Sequence, residues 1–162
     1  PTDGKVNGVR DNFPFGKVNV ASYTSQNGSK KGSNLNSGYS AGYTGIVFEP
    51  IDEFKGDIAR CLFYFATRYE NQMAQFYTSA SVQSNDMFDG SINQVFSATF
   101  LNILLQWNND APVSTKEVKR NNAIYAYQGN RNPYIDNNTY VTTIWGSPLA
   151  NPTFDILADV AI

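Results

Sequence analysis

The sequence predicts an α+β domain that is mainly helical, with a few short strands. Three features point there: apolar residues at three-and-four spacing over 51–69, a nearly continuous apolar stretch over 96–107, and a short alternating run over 17–24. The chain has 162 residues, of which 41% are hydrophobic and 16% charged. That size and composition suit one domain able to bury a core.

Taken in order, residues 1–12 read as a short helix that Thr2 or Asp3 caps and Asn12 with Pro14 ends. Gly4 and Gly8 make this helix intrinsically poor, so it needs packing or a function that uses the close approach glycines permit. Residues 17–24 read as a strand. Residues 26–43, rich in Ser, Asn and Gly, read as turns and a mobile loop, and 46–48 as a short strand ending at Pro50. Over 51–69, Phe54, Ile58, Leu62, Phe65 and Tyr69 form the apolar stripe of a central helix, with Asp52 and Glu53 suited to its first turn. Cys61 is read on that apolar side as a small buried hydrophobe.

Residues 96–107, with Phe100, Leu101, Ile103, Leu104 and Leu105, are apolar on most sides and should lie between other elements. Ser114 and Glu117 spell a capping box for a helix that runs to Gln128 and stops at Gly129. Asp136 or Asn137 caps a last helix carrying Tyr140, Val141, Ile144 and Trp145. Pro148 and Pro152 interrupt the final stretch, so 1–146 is read as the domain and 147–162 as an extended tail.

Composition excludes several kinds of chemistry. There is no histidine, so the chain can build neither an imidazole general base nor an imidazole metal site. Its single cysteine rules out an intrachain disulfide and a clustered thiolate zinc site. Twelve Lys and Arg against fourteen Asp and Glu leave a net charge of −2, so a polyanion would have to be met by a local patch. No apolar run approaches the ~20 residues of a membrane span. The chain begins at Pro1 rather than Met, which suggests a processed product or a piece of a longer protein.

Two groups of polar residues have hydrogen-bonding reach: Lys5, Asn7, Arg10 and Asn12, and later Lys116, Lys119, Arg120 and Asn121 to Asn122 with Asn130 to Asn132. Lys116 and Arg120, four apart, project from one helix face, and Arg131 is close enough in the chain to join them in a phosphate-contacting patch. A solvated helix face explains the same residues, and a helix cap and turn explains 128–134. The many aromatics suit a core or a stacking platform. Asn7 carries an amide oxygen of the kind hard cations accept, and it equally suits a turn or cap.

Three ordered blocks, PTDGKVNGVRDNFPFG at 1–16, FEPIDEFKGDIAR at 48–60 and RNNAIYAYQGNRNPYID at 120–136, closely resemble the endonuclease I family of bacterial extracellular and periplasmic nucleases. The resemblance implies a His-Me finger, or ββα-metal, site within a largely helical body, of which this chain is the downstream part. It implies that Asn7 matches the finger-helix asparagine that helps bind a divalent cation, Mg²⁺ foremost, with Ca²⁺ and Mn²⁺ as alternatives. By the same resemblance the general-base His and an acidic ligand lie upstream of Pro1, in an Arg-Glu-His type motif, so the segment alone should be inactive. Lys5, Arg10, Arg120 and Arg131 are the implied phosphate contacts. The implied activity is metal-dependent, sequence-tolerant cleavage of DNA, with RNA as a further substrate, by a secreted or periplasmic protein that needs its upstream part and no membrane. The alternative is a non-catalytic polyanion- or glycan-binding module on a degenerate nuclease fold.

Overall fold

A three-stranded antiparallel sheet frames the first third of the chain in the order β1 (Val18–Thr24), β2 (Lys30–Asn34), β3 (Ile46–Glu49). The computed structural model describes residues 3–79, 83–92 and 94–147. Within them the helices are α1 (Gly4–Arg10), α2 (Asp52–Arg68), α3 (Met73–Ser79), α4 (Ala98–Asp110), α5 (Thr115–Gln128), α6 (Pro133–Asp136) and α7 (Thr139–Trp145). The mixed, mainly helical α+β class predicted from sequence is therefore observed. The tail expected over 147–162 lies outside the described residues beyond Ser147.

The stretch 26–43, expected to be a loop, contains the central strand β2 and a 3-10 turn at Gly38–Ser40. Lys30-Lys-Gly-Ser-Asn offers no apolar alternation, yet β2 is held by backbone pairing on both edges. Gly32 is needed there, because a Cβ would collide with the Val20 carbonyl across the ladder. Buried Asn34 then ties down the next loop: its amide donates to the carbonyls of Ser40 at 2.8 Å and Tyr43 at 2.9 Å and accepts from the Ser40 hydroxyl at 2.9 Å.

The central helix α2 buries the opposite side from the one its large apolar residues suggest. Gly56, Ala59, Arg60, Phe63 and Ala66 face inward, whereas Phe65 and Tyr69 are exposed and Phe54, Ile58 and Leu62 are only half-buried. Small residues win this face because α2 packs directly on α4, whose Phe100, Ile103, Leu104 and Trp107 supply the bulk. Phe65 and Tyr69 instead make a satellite cluster with Phe76 of α3, at ring centroid distances of 6.0 and 6.1 Å. Cys61, expected to be buried, is exposed for the same reason: it lies across the helix from Phe63.

Phe63 is the centre of the core. Its ring stacks on Trp145 of α7 at 5.3 Å, meets Phe96 edge-on at 5.9 Å and lies 6.0 Å from Tyr134 of α6. The Tyr134 hydroxyl accepts from Trp145 Nε1 at 2.8 Å and shares a 2.6 Å hydrogen bond with Thr67. Two short helices are thereby fixed to α2 by one aromatic side chain.

Candidate functional site

Helix α1 is formed by a local device, since nothing on it is buried. Asp3 caps it by accepting from Val6 N–H at 2.9 Å. Seven residues with two glycines are too few to persist alone. The segment 13–16 holds the helix in place: Phe48 N–H donates to Pro14 C=O at 2.9 Å and Gly16 N–H to Phe48 C=O at 3.0 Å, adding a parallel bridge along the free edge of β3. Gly16 allows this approach, because a Cβ there would lie 2.7 Å from Val47 Cγ1.

On this helix Asn7 is exposed; its backbone N–H donates to Asp3 C=O at 2.9 Å, and its side-chain amide makes no hydrogen bond with the described residues. Asp3, Asn7 and Arg10 are spaced to share a side, and Lys5, also exposed, projects elsewhere. Arg10 is half-buried with its guanidinium 4.5 Å over the Phe15 ring. Burial lowers its pKa and neighbouring Asp11 pushes it back up. Its Nε is enclosed and without a hydrogen bond among the described residues. Gly4 and Gly8 face open space rather than a packed neighbour.

The later basic residues occupy a different kind of setting. The predicted capping box is present, with Glu117 N–H donating to Ser114 Oγ at 3.2 Å and Ser114 N–H to Glu117 Oε2 at 3.0 Å. Glu117 is also fully buried and grips Arg60 of α2 through two hydrogen bonds of 2.8 and 2.7 Å. Arg60 Nη1 reaches on to Asn108 Oδ1 at 3.0 Å and Ala111 C=O at 2.9 Å, so one guanidinium joins α2, the end of α4 and the start of α5. Burial would raise the Glu117 pKa, but its hydrogen bonds to Arg60 and Ser114 hold it below the ordinary value. Beside it, Asp57 is pushed up by its own burial and by the charge of Glu117.

Lys116 and Arg120 do share a face, as their spacing predicts, and that face meets Asp57: Oδ2 lies 3.8 Å from Lys116 Nζ and 3.5 Å from Arg120 Nη2. Arg131 does not join them. It forms a fork with Asp136 at 2.7 and 2.6 Å and donates to Asn122 at 2.8 Å. Asn132 caps α6 by accepting from Tyr134 N–H at 3.0 Å, donates through its side-chain amide to Arg60 C=O at 3.0 Å, and donates its backbone N–H to Asn121 Oδ1 at 2.9 Å. Arg131, between Asn130 and Asn132, thus belongs to the fixed turn expected over 128–134, with Gly129 in the left-handed region at φ 69°. Asp57 carries no motif in the sequence; its one signal is its place three residues before Arg60, which sets an acid next to a buried arginine.

The structure therefore brings Asn7 and Arg10 together on one exposed helix and sets Arg120 and Arg131 into carboxylate pairs on α5 and after it. No three His, Cys, Asp or Glu side chains among the described residues group closely enough to hold a metal ion. No helix among them is long and apolar enough to cross a membrane.

Residues 1–139 match the family described as Endonuclease I. The chain is 37% identical to an extracellular ribonuclease of Bacillus amyloliquefaciens over 146 residues, covering 90% of this chain and 44% of that protein. It is 35% identical to the extracellular ribonuclease of Bacillus subtilis (strain 168), with the same coverage of both. With Endonuclease-1 of Buchnera aphidicola subsp. Baizongia pistaciae it shares 25% identity, over 83% of this chain and 43% of that one. The chain thus spans less than half the length of the curated relatives it matches. No solved structure matches it.

Proposed function

Because this chain belongs to the endonuclease I family, a family of nucleases, we propose that it forms part of a secreted, divalent-cation-dependent endonuclease that cleaves DNA and RNA with little regard to sequence. Hydrolysis adds water across a phosphodiester: one P–O bond forms as another breaks, and the departing oxygen takes up a proton. With no histidine in its sequence, this chain leaves an imidazole base to residues elsewhere in a longer protein. The extracellular naming of the two Bacillus relatives supports export.

The observation that carries this reading is Asn7, an exposed side-chain amide on a capped helix that leads into the segment bonded to β3, with no competing side-chain hydrogen bond among the described residues. An amide oxygen suits a hard cation, and one neutral ligand fits a set completed by groups elsewhere in the longer protein. Mg²⁺ is the first choice, with Ca²⁺ or Mn²⁺ as alternatives. When bound, such an ion stabilises negative charge developing on the phosphate and the leaving oxygen. Lys5 and Arg10, on the same helix, serve as phosphate contacts. Arg120 and Arg131 take the same role through whatever positive field their carboxylate partners leave, which salt would screen readily.

Substituting Asn7→Ala in the longer protein tests the reading. Cleavage of DNA and RNA with Mg²⁺ should fall by at least about tenfold, some 1.4 kcal/mol of transition-state stabilisation, with thermal unfolding unchanged. Unchanged activity removes Asn7 from the metal site. A second reading, a polyanion- or glycan-binding module without catalysis, is favoured by the lack of histidine; a longer protein that binds nucleic acid without cleaving it would support that reading.

A further inference from the structure

A cavity of about 680 Å³ opens between the loop after β2, Tyr77 of α3, residues 85–88 and the start of α4. It involves none of the residues assigned to the metal or to phosphate. Its volume is that of a small-ligand site. Tyr43, Tyr77 and Phe88 contribute aromatic walls, and Asp86 contributes a carboxylate.

These walls are held in place. Phe88 stacks on buried Phe96 at 5.5 Å, and Tyr43 sets its edge against Phe100 at 5.0 Å. Asn85 Nδ2 donates to the Tyr77 carbonyl at 3.0 Å, tying α3 to the cavity floor. Gly90, at φ +81°, packs against the Tyr77 ring where a Cβ would come within 3.0 Å. Tyr77 nevertheless remains 39% exposed, a large ring left partly without cover. At the rim the Tyr43 hydroxyl donates to Asp86 Oδ2 at 2.7 Å, fixing the carboxylate, while Oδ1 takes no hydrogen bond from the described residues.

We propose that this cavity binds a nucleobase, and specifically guanine. Aromatic side chains at an open site stack on bases, and an ionised carboxylate can only accept hydrogen bonds. Among the common bases, guanine alone presents two adjacent donors, N1–H and N2–H, along its pairing edge. Adenine and cytosine place an acceptor next to their amino group, and uracil or thymine flanks one N–H with two carbonyls. The accept-only carboxylate of Asp86 therefore selects guanine, and the Tyr43 hydroxyl only steadies it. The proposal rests on the nuclease reading only for the source of the base.

Titration of the chain with GMP, AMP, CMP and UMP, followed by amide chemical shifts, tests it, since all four share the same phosphate. GMP should shift Tyr43, Tyr77, Phe88 and the first turn of α4, and bind at least about tenfold more tightly than the other three, as expected for a bidentate contact. Equal affinities, or shifts confined to other surfaces, overturn the proposal. Asp86→Asn should remove the preference for GMP, while Tyr43→Phe, which keeps the carboxylate, should retain it. If Asp86→Asn does not fold, Tyr77→Ala provides the second test: loss of exposed stacking area should weaken all binding at this cavity, and unchanged GMP affinity refutes it. A longer protein that cleaves nucleic acid while its cavity ignores guanine sinks this inference and leaves the nuclease reading standing. Guanine binding without cleavage does the reverse.

Discussion

Replacing Glu117 with Gln removes a charge from a fully enclosed polar cluster while keeping the side chain's shape. Arg60 and Glu117 are both 0% exposed, and two hydrogen bonds of 2.8 and 2.7 Å join them. A buried charge that loses its counterion costs about 3–5 kcal/mol. Here the lower end is expected, because Asp57 Oδ1 lies 4.0 Å from Arg60 Nη2 and ionises more readily once the charge of Glu117 is gone. About 3 kcal/mol in a domain of this size lowers Tm by roughly 6–12 °C. Urea unfolding followed by the fluorescence of buried Trp107 would report the loss as a lower midpoint at constant slope. Combining Arg60→Met with Glu117→Leu should cost well below the sum of the two single changes, since no lone charge remains. A single-variant loss under about 1 kcal/mol, or additive losses in the double variant, would refute this account of the cluster.

Gly56→Ala should also destabilise the junction, by about 1–3 kcal/mol, because its Cβ would collide with the Ala111 carbonyl that Arg60 holds; chemical denaturation checks this, and an unchanged midpoint would mean the backbone yields easily. Asp57 adds a pH dependence of definite sign. Its pKa is raised above 3.8 in the folded chain, so the folded state keeps the proton longer, and stability falls as pH rises from the ordinary value through the raised one. Asp57→Asn should therefore gain on the parent over that window, and a stability difference that stays flat with pH contradicts it. The opposite slope holds for Glu49. Burial alone would raise its pKa, yet hydrogen bonds from Lys55, Lys17 and the Val18 N–H together lower it. Its contribution is present above the ordinary carboxylate value and disappears as pH falls through the lowered one, so Glu49→Gln should be least costly in acid.

Elements whose own residues carry their cause were legible. The Asp3 cap, the Ser114–Glu117 box and the Gly129 stop rest on contacts within a few residues, and the buried run in α4 showed in its own apolar composition. Strand β2 was not legible, because its stability comes from two partners rather than from side chains, and polar Lys30 to Asn34 resemble a loop. The inward side of α2 is not the one its large apolar residues mark, because fit outweighs size there: α4 brings the bulk, so α2 answers with Gly56, Ala59 and Ala66. At the candidate site, the position of Asn7 on an open helix agrees with its spacing from Asp3. The pairing of Arg131 with Asp136, five residues on, depended on a helix cap and a tight turn and could not be seen from charge alone.

The seating of Gly16 against Val47 fixes more than a strand edge. Helix α1, about 10 Å long at 1.5 Å per residue, stands on that contact like a lever on its fulcrum. A pivot of about 10° at the base would carry the far end by roughly 2 Å and Asn7, three residues along, by roughly 0.8 Å. Two uncharged residues, Gly16 and Val47, thus bear on how closely the position of Asn7 is held.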